Sequence, residues 1–376
     1  MRRTWQWMAC VLALGVAVQA EARPKKAPEP LYPVQPWLLS SDAIQGKKRT
    51  HRSLPDRVYP RAAGEFVVFT EYVGKNEGFR VVRVSKRAPK GARRVIRPLL
   101  LGETARFGVA IADGAIGYVS NRLGPISAWM RQAHGDGHVL IANSGVWRGA
   151  IAPQHLNASP DGRFWCFDTT FEKNRYNQLL QEFAHPAHWE LVGQSWRVYD
   201  SRFYRYQMAY EAARAGAGKN HFQPPVLFLF DRRSSELVMI PRAFDGAFSP
   251  DGQAIAFVRE EGGNYDLWMQ RLDGSGLTQL THSPFADVEP AFSPDGKKIA
   301  FVSNRDSNGD VRATSIYVLD LESGKVMRVT NALHASDGGP SWLDAQTILF
   351  HSNRDPKAPQ TKTTSRWSLW VVKLDR

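Results

Sequence analysis

The stretch GAFSPDGQAIAFV, Gly246 to Val258, returns 44 residues later as PAFSPDGKKIAFV, Pro290 to Val302. The shared SPDG is turn chemistry. Proline presets φ at the second turn position, aspartate bonds its own backbone, and glycine takes the positive φ that lets the chain reverse. SPDG also stands at Ser159, and weaker versions occur at IADG (Ile111 to Gly114), WLDA (Trp342 to Ala345) and RAAGE (Arg61 to Glu65). Each is followed by a short β-rich run: FVVF, AIGYV, FWCF, AIAFV, KIAFV or TILF.

A polar loop and a second apolar run follow each of these, among them FRVVRV, VLFLFD, LWMQRL, IYVLDL and LWVVKL. Short antiparallel strands recurring every 44 to 50 residues have the period of a propeller blade. The expectation is an all-β chain: a six-bladed β-propeller of four-stranded antiparallel blades over residues 59–376. One interval is too long, since Asp161 and Asp251 lie 90 residues apart. Residues 169–223 carry no such turn and read as helical, so a helical insertion in the third blade is expected there, with a divergent seventh blade as the alternative. Its aromatics, Trp189, Trp196 and Tyr204 among them, are expected mostly to pack. The last blade needs a strand from elsewhere, and Lys48 to Leu54 is the candidate to close the ring and cover its edge.

The amino terminus has another character. Arg2 and Arg3 precede an apolar run, Met8 to Val18, ending in small residues at Ala20 and Ala22. This is the layout of a secretory signal over residues 1–22, and the run is too short to span a bilayer. No transmembrane segment is expected after cleavage, and the mature protein is expected to be exported. Residues 23–58 form a Pro-rich basic segment, with five prolines between Arg23 and Ser40. Only Cys166 remains in the mature chain, within the apolar RFWCFD, which predicts an inert buried thiol and a fold held by packing alone.

The formal charge is +13, and its location is more informative than its size. Residues 23–106 carry 19 Lys and Arg against 7 Asp and Glu, while the chain beyond them has 28 of each. For an exported protein such a patch implies acidic glycans, lipid phosphates or acidic proteins as partners before nucleic acid.

The segment AFSPDGKKIAFVSNRDSNGDVRATSIYVLDLESGKVMRVT, Ala291 to Thr330, resembles the unit of the TolB-like propellers built of WD40-like PD40 repeats, and FHSNRD, Phe350 to Asp355, repeats its middle. The resemblance is close over Phe244 to Asp355 and faint over Arg61 to Ala150. It implies a six-bladed propeller, bacterial export to the periplasm, and protein binding over the face or mouth of a central channel. TolB itself carries a sizeable α/β domain before its propeller, and the short mature segment here departs from that pattern.

In a propeller the innermost strand precedes the turn. Counting back six positions from the turn aspartate gives His155, Asp245 and Glu289; seven positions give Arg106 and Asp337. These five are the expected lining of the channel mouth, where a cationic side chain, a peptide amino terminus or a metal ion would sit. The competing role is to cap strand ends and tie neighbouring blades. A second candidate surface is SKRAPKGARRVIR, with Lys86, Arg87, Lys90, Arg93, Arg94 and Arg97, joined by Lys47, Lys48, Arg49 and Arg52 if the closing strand lies beside it. Asp306, Asn308 and Asp310 alternate as in a calcium loop, but Val311 and Tyr317 replace its required Gly and Glu, so no metal site or cofactor is expected.

No nucleophile elbow, zinc-protease motif or phosphate loop is present. The expected function is therefore binding or scaffolding by a monomeric propeller, with an envelope protein or an anionic glycan as partner. The alternative is a polysaccharide lyase or hydrolase at the channel mouth, for which His155, His334 and His351 are the suspect residues.

Overall fold

The computed structural model describes residues 32, 34–36, 56–72, 79–87, 94–96, 105–111, 114–120, 127–132, 137–141, 154–169, 226–234, 236–310, 312–331, 335–359 and 361–374. The sequence expectations for the signal segment, for residues 170–223 of the insertion with its aromatics, for His334 and for Lys48 to Leu54 lie outside them. The described chain is all-β apart from a short 3-10 turn at Arg305–Ser307.

Strand β1 (Val34–Pro36) stands before six antiparallel meanders. The first comprises β2 (Asp56–Ala63), β3 (Phe66–Tyr72), β4 (Phe79–Ser85) and β5 (Arg94–Ile96). The second comprises β6 (Ala105–Ala110), β7 (Ile116–Ser120), β8 (Ser127–Arg131) and β9 (Gly137–Ile141). The third holds β10 (Gln154–Ala158), β11 (Phe164–Thr169), β12 (Val226–Asp231) and β13 (Glu236–Pro241). The fourth holds β14 (Ala243–Phe248), β15 (Ala254–Glu261), β16 (Asn264–Arg271) and β17 (Thr278–Gln279). Next come β18 (Asp287–Phe292), β19 (Lys298–Ser303), β20 (Ser315–Asp320) and β21 (Val326–Arg328), and finally β22 (Asp337–Trp342), β23 (Thr347–Arg354) and β24 (Thr363–Lys373).

The last meander takes its fourth strand from the amino-terminal side. That strand is β1, with Val34 opposite Val372 and Pro36 opposite Trp370. This corrects the expectation that Lys48 to Leu54 would fill the place, and with it goes the reason to set Lys47, Lys48, Arg49 and Arg52 beside the second basic run. Proline is tolerated in β1 because an edge strand has one side without a ladder. Across residues 170–225, Thr169 pairs directly with Val226, so that segment joins two neighbouring strands of one sheet.

The first strands of the six sheets touch in a closed cycle, β2 to β6, β6 to β10, β10 to β14, β14 to β18, β18 to β22 and β22 back to β2. Sheets therefore pack face to face around a centre, in the manner of a propeller, and most middle strands are covered on both faces. This explains why their sequences are continuous apolar runs and not alternating ones: Ile255 to Val258 and Ile299 to Val302 are all buried. The largest core cluster joins the last three sheets through Phe257's counterparts Phe301 and Phe350 with Tyr265, Trp342 and Trp370. Cys166 is buried and free, as expected, with its thiol pushed up by burial and 3.3 Å from the Gly246 carbonyl.

The SPDG turn closes itself by a side-chain relay. Ser293 Oγ donates to Asp295 (2.6 Å) and accepts from the Lys298 N–H (2.9 Å), while Asp295 accepts from the Lys297 N–H (3.1 Å). Ser159 and Ser249 repeat the arrangement on Phe164 and Ala254. Ser293→Ala is expected to cost about 1 kcal/mol, from losing one net hydrogen bond and unseating a second. Urea unfolding of the variant measures it.

Candidate functional site

Every first strand carries a register shift just before its turn: between Val58 and Arg61, Arg106 and Val109, Gln154 and Asn157, Phe244 and Ala247, Val288 and Ala291, and Gly338 and Ser341. The shift is a bulge, which bends the strand and re-aims one side chain. At these bulges the backbone turns left-handed: Tyr59 (φ 52°), His155 (43°), Asp245 (51°), Glu289 (55°) and Gly339 (56°). Four of these five are not glycine, a conformation that costs on the order of 1 kcal/mol or more at each. By register the equivalent position in β6 is Phe107.

A bulge releases an N–H from the ladder, and a side chain of the preceding sheet takes it up. The Asp245 N–H donates to Asp168 Oδ2 (3.0 Å), the Gly339 N–H to Glu289 Oε2, and the Tyr59 N–H to His351 Nδ1 (3.3 Å). Two buried side chains, Asp168 and His351, and the half-buried Glu289 thus stitch sheet to sheet at the centre.

His155 Nδ1 lies 2.9 Å from Asp168 Oδ2 and 3.3 Å from Asp245 Oδ1, with all three side chains under a tenth exposed. Burial alone would lower the imidazole pKa, but the carboxylates of Asp168 and Asp245 outweigh it and push it up to about 9. Asp245 is pushed up to about 7: burial raises it, His155 opposes, and Asp168 and Glu289 add to the rise. Tyr59 is raised by burial and then by Glu289 and Asp245, and its ring lies 5.8 Å from that of His155. His155, Asp168 and Asp245 have the donor types and the spacing of a metal-ligand set, all ligand atoms lying within 4.8 Å of one another.

The structure therefore brings together three of the five expected mouth residues, His155, Asp245 and Glu289, the last coupled electrostatically to the other two. Asp337 is elsewhere. It is fully buried and paired with Arg354 at 2.6 Å, because in β22 the bulge falls two residues later, on Gly339. Arg106 sits one position before the bulge in β6. Of the basic run, Lys86 Nζ donates to the Leu343 carbonyl across the junction of the first and last sheets, and burial lowers its pKa. Arg87 pairs with Glu65 at 2.7 Å, Arg94 lies in β5 opposite Arg83, and Lys90, Arg93 and Arg97 lie outside the described residues.

The alternating acids after β19 have structural partners: Asp306 accepts from Ser315 and Tyr317, and Asp310 pairs with Arg312. Sequence reasoning missed Asp168, Tyr59 and the partnership of His351. The first was within reach, since Asp168 is the residue that the hairpin from Ser159 to Phe164 carries back to Gln154.

The fold and this polar centre define an all-β protein of propeller type. Residues 241–315 match the family model described as PD40, TolB beta propeller domain. The Tol-Pal system protein TolB of Anaeromyxobacter dehalogenans (strain 2CP-C) is 47% identical over 60 residues, 16% of this chain and 14% of that protein. Among solved structures, TolB from Acinetobacter baumannii has a TM-score of 0.50 at 13% identity, over 85% of this chain and 64% of that one. An oligogalacturonate lyase in complex with manganese has 0.47 at 13%, over 94% and 99%. At 13% identity the likeness to the Acinetobacter TolB structure speaks to the fold alone. The chain is similar to the TolB-like PD40-repeat propellers and matches only a small part of the curated TolB proteins' length, as expected of a relative distinct from TolB itself. Among the described residues no helix is long and apolar enough to cross a membrane.

Proposed function

We propose that this protein is a six-bladed, periplasmic binding propeller that engages a partner protein of the cell envelope through the end of the ring where Tyr59, His155, Asp245 and Glu289 meet. The observation that carries this reading is the left-handed backbone at these four non-glycine residues, all on equivalent bulges. A ring needed only as a scaffold would be more stable with glycine at such positions. Local strain that turns ionisable and aromatic side chains toward one point supports a binding role.

The basic run is the weaker candidate, because Lys86 and Arg87 are already engaged within the fold. A proton-transfer role for His351 is disfavoured by its burial and by its Nδ1 accepting from Tyr59. The test is capture from envelope extract by the mature protein, by Asp245→Asn/Glu289→Gln, and by a variant with Lys86, Arg87, Arg93 and Arg94 changed to Glu. The expected result is a partner retained by the basic-run variant and lost, by at least about tenfold, from the central one, since a buried polar contact is worth about 1.4 kcal/mol or more. Equal capture by the central variant overturns the reading.

A further inference from the structure

His155, Asp168 and Asp245 come from three strands, β10, β11 and β14, and from two sheets. Their convergence is built by the fold. Asp168 is fixed by accepting the Asp245 N–H, and the bulges at His155 and Asp245 turn both side chains to the same place. One imidazole nitrogen and two carboxylate oxygens result, with His155 Nδ1 2.9 Å from one oxygen and 3.3 Å from the other.

A four-coordinate ion with bonds of about 2.0 Å holds its ligand atoms about 3.3 Å apart. The two separations from His155 Nδ1 are close to that value, and all three ligand atoms lie within 4.8 Å of one another. Calcium, with bonds of about 2.4 Å and six or more oxygen ligands, would require the group to spread and would gain little from an imidazole. Charge points the same way. Asp168, Asp245 and Glu289 act on this small volume, where the Nδ1 proton of His155 holds the place of a cation and is released when an ion takes it; Arg61 is the other cationic group among the principal influences. Buried carboxylates are stable when paired or when they coordinate a metal.

We propose that His155, Asp168 and Asp245 bind one first-row divalent metal ion of the zinc kind. Three protein ligands leave at least one coordination position for water or for a ligand atom of a bound molecule. The site is independent of the partner-binding reading, since an ion could be held whether or not a protein docks above it.

The experiment uses the full mature chain without an added polyhistidine tract, stripped with chelator and then dialysed against Zn2+ alone. Elemental analysis gives stoichiometry and titration calorimetry gives affinity, while Co2+ in place of Zn2+ reports a nitrogen- and oxygen-ligated site by its visible absorption. The expected result is about one ion per chain, with binding weakened at least about 100-fold in His155→Gln and in Asp245→Asn, as exceeds the usual effect of removing a supporting group. Asp168→Asn keeps an oxygen for the Asp245 N–H and serves as the third variant if another fails to fold. Arg312→Gln, on an exposed turn far along the chain, is expected to bind as the parent does. Failure of the parent chain to bind Zn2+ overturns the proposal, as does unchanged binding in the folded variants.

Discussion

Replacing Arg354 by methionine is expected to lower the unfolding free energy by about 3–5 kcal/mol, the cost of leaving a buried charge without its partner. Arg354 is 1% exposed and Asp337 is fully buried. The guanidinium meets the carboxylate with Nε at 2.9 Å and Nη2 at 2.6 Å, and its other donors reach the carbonyls of Pro359 and Asn331. Asp337 also accepts from Thr330 Oγ1 (2.6 Å), whose oxygen in turn takes the Ile316 N–H (2.8 Å). The pair therefore links the last two sheets through a chain of satisfied groups. Changing both residues, Asp337→Asn with Arg354→Met, should cost clearly less than the sum of the single changes, because no unpaired charge remains. Equilibrium unfolding in urea for the four members of the cycle measures this. A single-variant cost below about 1 kcal/mol would show that the pair does not carry the junction.

Asp337 also shows how far the sequence could be read. Its repeat phrase places a turn, a strand and a first strand before the turn, and sheets of that order are what the chain forms. Counting back from the turn aspartate lands on the bulge for His155, Asp245 and Glu289 because all three hairpins share the SPDG turn and hence one register. It fails for Asp337 because WLDA closes a different loop, and a shift of two residues moves an acidic group from the centre into a structural pair. The bulge itself leaves no residue signature, since Tyr, His, Asp, Glu and Gly all occupy it. Partners that come from another sheet, such as Asp168 to Asp245 or His351 to Tyr59, depend on the ring and not on neighbours in sequence. The same holds for β1, whose register on β24 is set by the position of the whole last sheet and not by a pattern in its three residues.

Acid should destabilise this protein through His351 well before general carboxylate titration explains the loss. The ring is 4% exposed, lies edge-on to Tyr59 at 5.1 Å and to Trp367 at 5.2 Å, and accepts the Tyr59 N–H on Nδ1. Room for it is made by two glycines: a Cβ on Gly338 or on Gly339 would come within 2.7 Å of a ring nitrogen. Burial first, and the charge of Arg61 second, lower its pKa to about 3. The unfolded chain binds this proton near pH 6.5 and the native protein only near 3, so between those limits the unfolded state holds more protons. Stability therefore falls as pH falls, by about 1.4 kcal/mol per unit, reaching about 2 kcal/mol at pH 5 and about 3 at pH 4. Asp245 acts in the opposite sense: its raised pKa of about 7 makes the native state the better proton binder down to the ordinary carboxylate range, so it gains stability on acidification. The two are separated by His351→Gln, which offers Tyr59 an acceptor but does not titrate. Denaturant midpoints from pH 7 to pH 4 should decline steeply in the parent chain and much less in the variant. Parallel declines would mean that His351 is charged, or solvated, in the native protein, and that the Tyr59 N–H does not hold the ring as described.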